Sequence, residues 1–241
     1  MRRGFITFLL FFLTLLLFTC KKKSSVHVFY LNTNVLGVRQ ANRVKFYTAK
    51  DGKPWTYLPK RDFVCSEDVD RVFYLGGDFI GASEGKHVRF YKTNNQGTWT
   101  YNNGTDFTCP ESFEGIFAVD GGGSMGAWKS NAIRFYDTNP QGTWAQSAVN
   151  DFTDPNRIDG AFYVLTNYIG VQEGRTVKFY TYGLTGWVHT PGRDFTSPGD
   201  ADEIFYLNTG AIGVLKNTTV KFYKINGQGH WDYQAGRDFK F

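Results

Sequence analysis

Three short stretches of this chain set side-chain amides beside an indole. Asn95 and Gln96 precede Trp99, Asn139 and Gln141 precede Trp144, and Asn226 and Gln228 precede Trp231. An aromatic plate flanked by amides suits a sugar, which offers apolar ring faces and dense hydroxyls. Weak binding at several such copies would add up on a glycan-coated surface. The same Asn, Gln and Gly residues also build ordinary turns, so residue types alone leave both readings open. Two further copies depart from the pattern: Asp51-Gly52-Lys53-Pro54-Trp55 and Tyr182-Gly183-Leu184-Thr185-Gly186-Trp187 cannot present the same amides.

Catalytic and metal chemistry find less support in the residues. A glycosidase needs carboxylates converging at a separation fixed by mechanism, whereas Asp120 and Glu173 stand isolated near strand ends. His27, His87, His189 and His230 form no common cluster along the chain, and no phosphate-binding glycine loop is present. The expectation is a protein that is not an enzyme and needs no cofactor. Glu67-Asp68-Asp70 and Asp200-Asp202-Glu203 are acid-rich connections that could hold calcium, but they lack the spacing of a recognised calcium loop.

The residues around each indole belong to a motif written five times. A Phe-Tyr pair, beginning at Phe46, Phe90, Phe135, Phe179 and Phe222, is followed by Trp55, Trp99, Trp144, Trp187 and Trp231. Seven residues after each Trp comes Asp-Phe, starting at Asp62, Asp106, Asp151, Asp194 and Asp238. Successive copies lie 43 to 45 residues apart, a period that marks a repeat architecture. Within each copy the sequence divides into four short extended pieces rich in aromatic and β-branched residues, separated by Asn/Gly turns. A glycine recurs in the second piece, at Gly37, Gly81, Gly126, Gly170 and Gly213, where it allows close backbone approach or a bulge.

One four-stranded sheet cannot bury both its faces, but stacking on the next copy can. The expected fold is therefore all-β: a five-bladed β-propeller of four-stranded antiparallel blades over 26–241, with repeats near 26–70, 71–114, 115–159, 160–202 and 203–241. The Trp and the Phe of Asp-Phe are expected to fill space between blades, and the Asp to accept backbone or turn hydrogen bonds. Closure has two routes. Either blade packing closes the ring alone, or Asp238-Phe239-Lys240-Phe241 pairs near Val26 to Phe29.

Ahead of the repeats, residues 1–19 read as a signal peptide, with Arg2 and Arg3 before an apolar run. Leu17-Phe18-Thr19-Cys20 resembles a bacterial lipobox. That likeness implies lipidation of Cys20, with 20–25 as a tether and membrane attachment through the lipid, at the periplasmic or cell surface; secretion without an anchor is the alternative. Of 27 basic residues five precede the repeats, leaving 22 against 22 acids. A formally neutral body gives no broad basic face for nucleic acid. Cys65 and Cys109 occupy one repeat position in neighbouring copies. Equivalent points on a five-fold ring come within the usual Cα separation of about 5.5 Å only close to the axis, so two unpaired buried thiols are expected.

The layout is similar to the five-bladed propeller lectins of the tachylectin-2 type, on Phe73-Tyr74, Gly81, Phe90-Tyr91 and Asn95-Gln96-Gly97-Thr98-Trp99 with their counterparts. That resemblance implies a non-catalytic protein with several equivalent shallow pockets for N-acetylated amino sugars, so that glycans or surface glycoconjugates would be partners. The connections differ: Gly192-Arg-Asp-Phe195 and Gly236-Arg-Asp-Phe239 stand where that family has Gly-Gly-Trp. A protein-binding or structural surface propeller is the rival reading, with Trp128, the one Trp outside the repeated position, as its anchor.

Overall fold

The computed structural model describes residues 26–32, 34–49, 54–66, 68–94, 96–165, 167–207 and 210–241. The leader, Cys20 and the tether lie outside the described residues, as does Asn95. Each repeat is one antiparallel sheet. In blade 1 the inner strand Val26–Asn32 pairs with Val35–Gln40, which pairs with Arg43–Thr48. The inner strands of blades 2 to 5 are Arg71–Gly76, Gly115–Val119, Gly160–Leu165 and Glu203–Leu207. They stand side by side around an axis, the last against the first, and the result is the five-bladed propeller of four-stranded blades.

The fourth strand carries a feature that the motif did not announce. In blade 1 it comes in two pieces, Thr56–Tyr57 and Phe63–Val64, both paired with the third strand. Tyr47 faces Tyr57 and Val44 faces Phe63, so six residues of the outer strand span three of its neighbour. Three residues are forced outward as a long bulge, a 3-10 turn at Pro59–Arg61. Blade 2 has the same shift in register without that turn, between Tyr101 opposite Tyr91 and Phe107 opposite Val88.

The aromatic landmarks hold neighbouring blades together. Along the third strand Phe and Tyr point to opposite faces, Phe46 toward blade 2 and Tyr47 toward blade 5. Trp99 lies nearly parallel to Phe46 of the preceding blade, at 5.5 Å and 25°. Its Nε1 donates to the Arg61 carbonyl on that blade's bulge, at 2.8 Å. Phe63 in turn packs on Tyr91 at 4.7 Å. The same three contacts recur at the other four seams, Trp144 to Phe90 and Thr105 among them. The indole N–H is thereby satisfied where it would otherwise be half-buried without a partner.

The recurrent glycines answer to close approach. The inner-strand Phe lies flat over the Gly directly opposite, as Phe205 does over Gly213. A Cβ at Gly213 would sit 2.3 Å from Phe205 Cζ. Phe205 is buried and cannot swing out without exposing its ring. Gly213→Ala is therefore expected to cost about 2 kcal/mol, in the range of overpacking changes. Gly227→Ala, where no atom lies within 4 Å, should stay within about 0.5 kcal/mol of the parent. Urea unfolding of both variants makes the comparison; equal midpoints would refute the close-approach account.

Closure follows the first of the two routes. Phe239–Lys240 pairs with Thr219 and Val220 of its own blade, so the end of the chain does not complete the first sheet. The seam between blades 5 and 1 uses the same side chains as every other seam: Trp55 lies 5.6 Å from Phe222 and donates to the Arg237 carbonyl. Cys65 and Cys109 are free and buried in separate seams.

Candidate functional site

The predicted amide turns are largely engaged in building the rim. Asn139 Oδ1 accepts from the Gln141 and Thr143 N–H groups, and Asn226 Oδ1 from those of Gln228 and His230. In blade 2 the residue in this role is Asn94, not Asn95: its Oδ1 accepts from Gln96 and Thr98. Positive φ at Gly97, Gly142 and Gly229 completes these turns. They press on the preceding bulge, leaving 2.8 Å between a Cβ built on Gly97 and the Lys60 carbonyl. Trp99, Trp144 and Trp231 each give one face and the N–H to a seam. Gln96, Gln141 and Gln228 are exposed at the turn tips.

Two residues beyond each Trp stands a side chain that the sequence did not tie to the repeated Asp. These are Tyr57, Tyr101, Gln146, His189 and Tyr233. Each lies on the same strand face as its Trp, because side chains alternate. Each also bonds the Asp of Asp-Phe, across the bulge. The Tyr57, Tyr101 and Tyr233 hydroxyls donate to Asp62, Asp106 and Asp238 at 2.6, 2.5 and 2.6 Å. Gln146 donates to Asp151 at 2.8 Å, and His189 Nε2 lies 3.0 Å from Asp194. The repeated Asp thus ties the two legs of the bulge. In blades 3 and 4 it also accepts the backbone N–H of Phe135 and Phe179, the kind of bond the sequence suggested.

The rings form steps from the seam to the surface. Phe239, Tyr47 and Tyr57 follow one another at 4.7 and 5.5 Å; Phe195, Tyr223 and Tyr233 do so at 5.1 and 5.5 Å. Tyr57, Tyr101 and Tyr233 are 39%, 47% and 45% exposed, so each outermost ring presents area to solvent. Beside it comes the basic residue that precedes every Phe-Tyr pair: Lys45, Arg89, Arg134, Lys178 and Lys221. Lys45 and Lys221 sit over Tyr57 and Tyr233, each at 5.8 Å, while Arg134 reaches Asp151 at 2.8 Å. Hydrogen bonding to Asp62 and Asp106 pushes the Tyr57 and Tyr101 hydroxyls up, and Asp238 pushes that of Tyr233 up to about 12. The hydroxyls stay protonated and the rings stay oriented. Each blade so carries at its outer edge a platform of one carboxylate, one planar group and a cation nearby, although Lys178 pairs with Glu173 at 2.6 Å and Arg89 lies 3.7 Å from Glu84.

A second constellation lies on the axis. His27 Nδ1 is 2.5 Å from Glu203 Oε2, which also accepts the Val28 N–H at 3.0 Å. Arg71 Nη1 lies 3.6 Å from Glu203 Oε1, and the guanidinium covers the Trp128 ring at 5.0 Å. His27 is thus joined by charged residues from blades 5 and 2, not by another histidine. Trp128 is 1% exposed and cannot anchor a surface partner; its ring fills the space left by Gly115, where a Cβ would be 2.0 Å away.

The charged pair sets a direction for acid stability. Burial pulls the His27 imidazole below its ordinary value, so it stays neutral while the unfolded imidazole takes up a proton below about pH 6.5. Burial raises the Glu203 carboxyl, but His27, Arg71 and the Val28 N–H outweigh it and hold it below the usual range. In both cases the unfolded state binds more protons on acidification, so stability falls: first below the unfolded His value, then below the unfolded Glu value. Melting temperature followed from pH 7.5 to 5 should drop for the parent and drop less for His27→Gln. Parallel curves would contradict this assignment.

The acid-rich connections are used for capping. Asp70 and Asp202 accept from the Gly85 and Asn217 N–H groups, and Asp202 also pairs with Lys216 at 3.0 Å. Glu67 lies outside the described residues. Among the described residues no group of three His, Cys, Asp or Glu is placed to hold a metal ion, and no helix is long and apolar enough to cross a membrane.

No protein-family model and no curated protein matches this chain. Solved structures do. A functionally unknown protein from Desulfotomaculum acetoxidans aligns at 12% identity over 90% of this chain and 70% of its own, with a TM-score of 0.48. A protein from Lactobacillus plantarum aligns at 12% identity over 83% and 67%, with a TM-score of 0.46. A third, described as a putative 6-phosphogluconolactonase from Bacteroides uniformis, aligns at 10% identity over 88% and 70%, with a TM-score of 0.47. The expectation that this chain is not an enzyme is corrected here, since one of these matches is described as an enzyme. Its activity does not transfer on so distant a likeness, and fold alone selects no function.

Proposed function

We propose that this chain is a carbohydrate-binding protein with several equivalent weak sites, taking glycans that carry N-acetylated amino sugars. One observation carries the reading: the outer platform is repeated in all five blades, with an exposed tyrosine in three of them. A tyrosine ring gives a flat surface for the apolar face of a sugar. The neighbouring Asp and Lys or Arg supply an acceptor and a donor for its hydroxyl and acetamido groups. The bulge accounts for the Asp and its bond, but not for ring area left open to solvent beside a cation. Gln96, Gln141 and Gln228 at the turn tips, with the free edges of Trp99, Trp144 and Trp231, complete the binding rim in this reading. The resemblance to propeller lectins points the same way.

The leader fits this role. Lipidation at Cys20 would hold the propeller on a bacterial membrane, at the periplasmic or cell surface, where glycoconjugates are met. Titration with soluble N-acetylglucosamine, followed by tyrosine ring signals in NMR, tests the reading. Shifts in Tyr57, Tyr101 and Tyr233 support it, and unmoved rings at tens of millimolar sugar count against it. A protein-binding surface is the second reading. It rests on the exposed apolar side chains Val149, Leu184 and Val188 of blades 3 and 4.

A further inference from the structure

The axial channel is a cavity of about 450 Å³ whose wall is the five inner-strand phenylalanines, Phe29, Phe73, Phe117, Phe162 and Phe205. Tyr30, Tyr74, Tyr163 and Tyr206 also line it, while its His, Arg and Glu side chains gather at one end. There the five repeats present His27, Arg71, Gly115, Gly160 and Glu203 at a single position of the inner strand. The next two positions are alike in every copy, a small or branched aliphatic residue and then Phe, so the scaffold itself does not call for three ionisable groups here. Burying such groups generally costs stability relative to apolar packing. Arg71 and Glu203 also border two further cavities of about 440 and 330 Å³, so they stand at the throat between channel and outer face.

Two of the three have bonding capacity left over. His27, with its side chain 10% exposed, gives Nδ1–H to Glu203, and among the described residues its Nε2 makes no hydrogen bond; the residue borders both the channel and the cavity of about 330 Å³. Among the described residues the Arg71 guanidinium makes no hydrogen bond; its contact with Glu203 Oε1, at 3.6 Å, is longer than one. The guanidinium lies over the Trp128 ring at 5.0 Å, which places it at the throat. Glu203 Oε2 is meanwhile occupied by His27 and Val28. An oriented fork of donors matches a carboxylate. A neighbouring lone pair matches a hydroxyl, and aromatic walls match the C–H face of a sugar. The volume lies in the lower range of small-ligand sites, ample for one monosaccharide.

We infer that the channel throat is a binding site for one small hydroxycarboxylate of monosaccharide size, a sugar acid whose carboxylate meets Arg71 and whose hydroxyl donates to His27 Nε2. This site is separate from the outer platforms and is present once per chain.

Calorimetric titration of the full chain with D-glucuronate and D-glucose tests it. Glucuronate should bind one to one, and glucose at least about ten-fold more weakly for want of the carboxylate. Arg71→Met should lose about ten-fold or more, and Arg71→Lys less, since it keeps the charge but not the fork. A Tyr57, Tyr101 and Tyr233 triple alanine variant should bind glucuronate as the parent does, which separates this site from the platforms. In the unaltered chain, glucuronate should move the Trp128 indole signals, a readout that survives if the Arg71 variants fail to fold. No heat with millimolar glucuronate and unmoved Trp128 signals would overturn the inference. So would equal affinity for glucose, or unchanged binding by folded Arg71→Met.

Discussion

Phe239→Ala should remove about 3–5 kcal/mol of stability, the usual cost of emptying a buried phenylalanine site. Phe239 is 4% exposed and lies between Tyr47 at 4.7 Å and Trp55 at 5.6 Å, both in blade 1. Among the described residues no strand crosses between blades 5 and 1, so side chains close the ring there. The loss is a large part of the 5–15 kcal/mol by which a typical domain is stable. Phe107 occupies the equivalent place between blades 2 and 3, with Tyr136 at 5.0 Å and Trp144 at 5.4 Å. Because the two sites are built alike, Phe107→Ala should match Phe239→Ala within about 1 kcal/mol. Denaturant unfolding of both variants, read by tryptophan fluorescence, gives the comparison. A Phe239→Ala loss below about 1 kcal/mol, against the full cost at Phe107, would mean that the ring is not held shut there.

The second large effect concerns binding rather than stability. Replacing Tyr57, Tyr101 and Tyr233 together by alanine should weaken attachment to a surface coated with N-acetylated amino sugars by about 100-fold or more. Single substitutions should cost only a few-fold, because the remaining sites still engage the surface together. The fold should survive the triple change. These rings cap the outer edge, whereas Phe222, Phe46 and the indoles stacked on them carry the seams. Trp99→Ala is the useful contrast, since it strips a seam of its stacking partner and of the bond to Arg61. Surface plasmon resonance on such a coating, with melting temperatures in parallel, distinguishes the two. A triple variant that attaches like the parent would remove the platforms from the account.

What could be read from the sequence depended on which residues repeat. Phe-Tyr, Trp, Asp-Phe and the second-strand Gly recur because every seam and every inner strand poses the same packing problem, so the fold was legible. The partner of the Asp was less so. It varies among Tyr, Gln and His, and the five-residue spacing becomes a contact only because a bulge folds the outer strand back. A polar or aromatic residue two places after every Trp was the available signal, together with the basic residue before every Phe-Tyr. In blade 2 the capping residue is Asn94, five residues before Trp99 as Asn139 and Asn226 are before Trp144 and Trp231, a spacing that the adjacent Asn95 obscured. The axial cluster had no sequence signature at all. His27, Arg71 and Glu203 stand in three different repeats at a position where the repeat does not hold, and only ring closure brings the first and last together. Trp128 misled for a related reason: the Gly115 opposite it, which makes room for its ring, is a residue whose purpose appears only in the paired strands.

The central claim is that the repeated outer edge of the blades recognises glycans. A glycan array probed with the full propeller, beside the triple tyrosine variant, tests it most directly. The parent is expected to bind glycans ending in N-acetylated amino sugars, with signal rising steeply with glycan density, and the variant to lose that signal while still folded at the temperature of the array. An array without response to the parent, or a response that the variant retains in full, would contradict it.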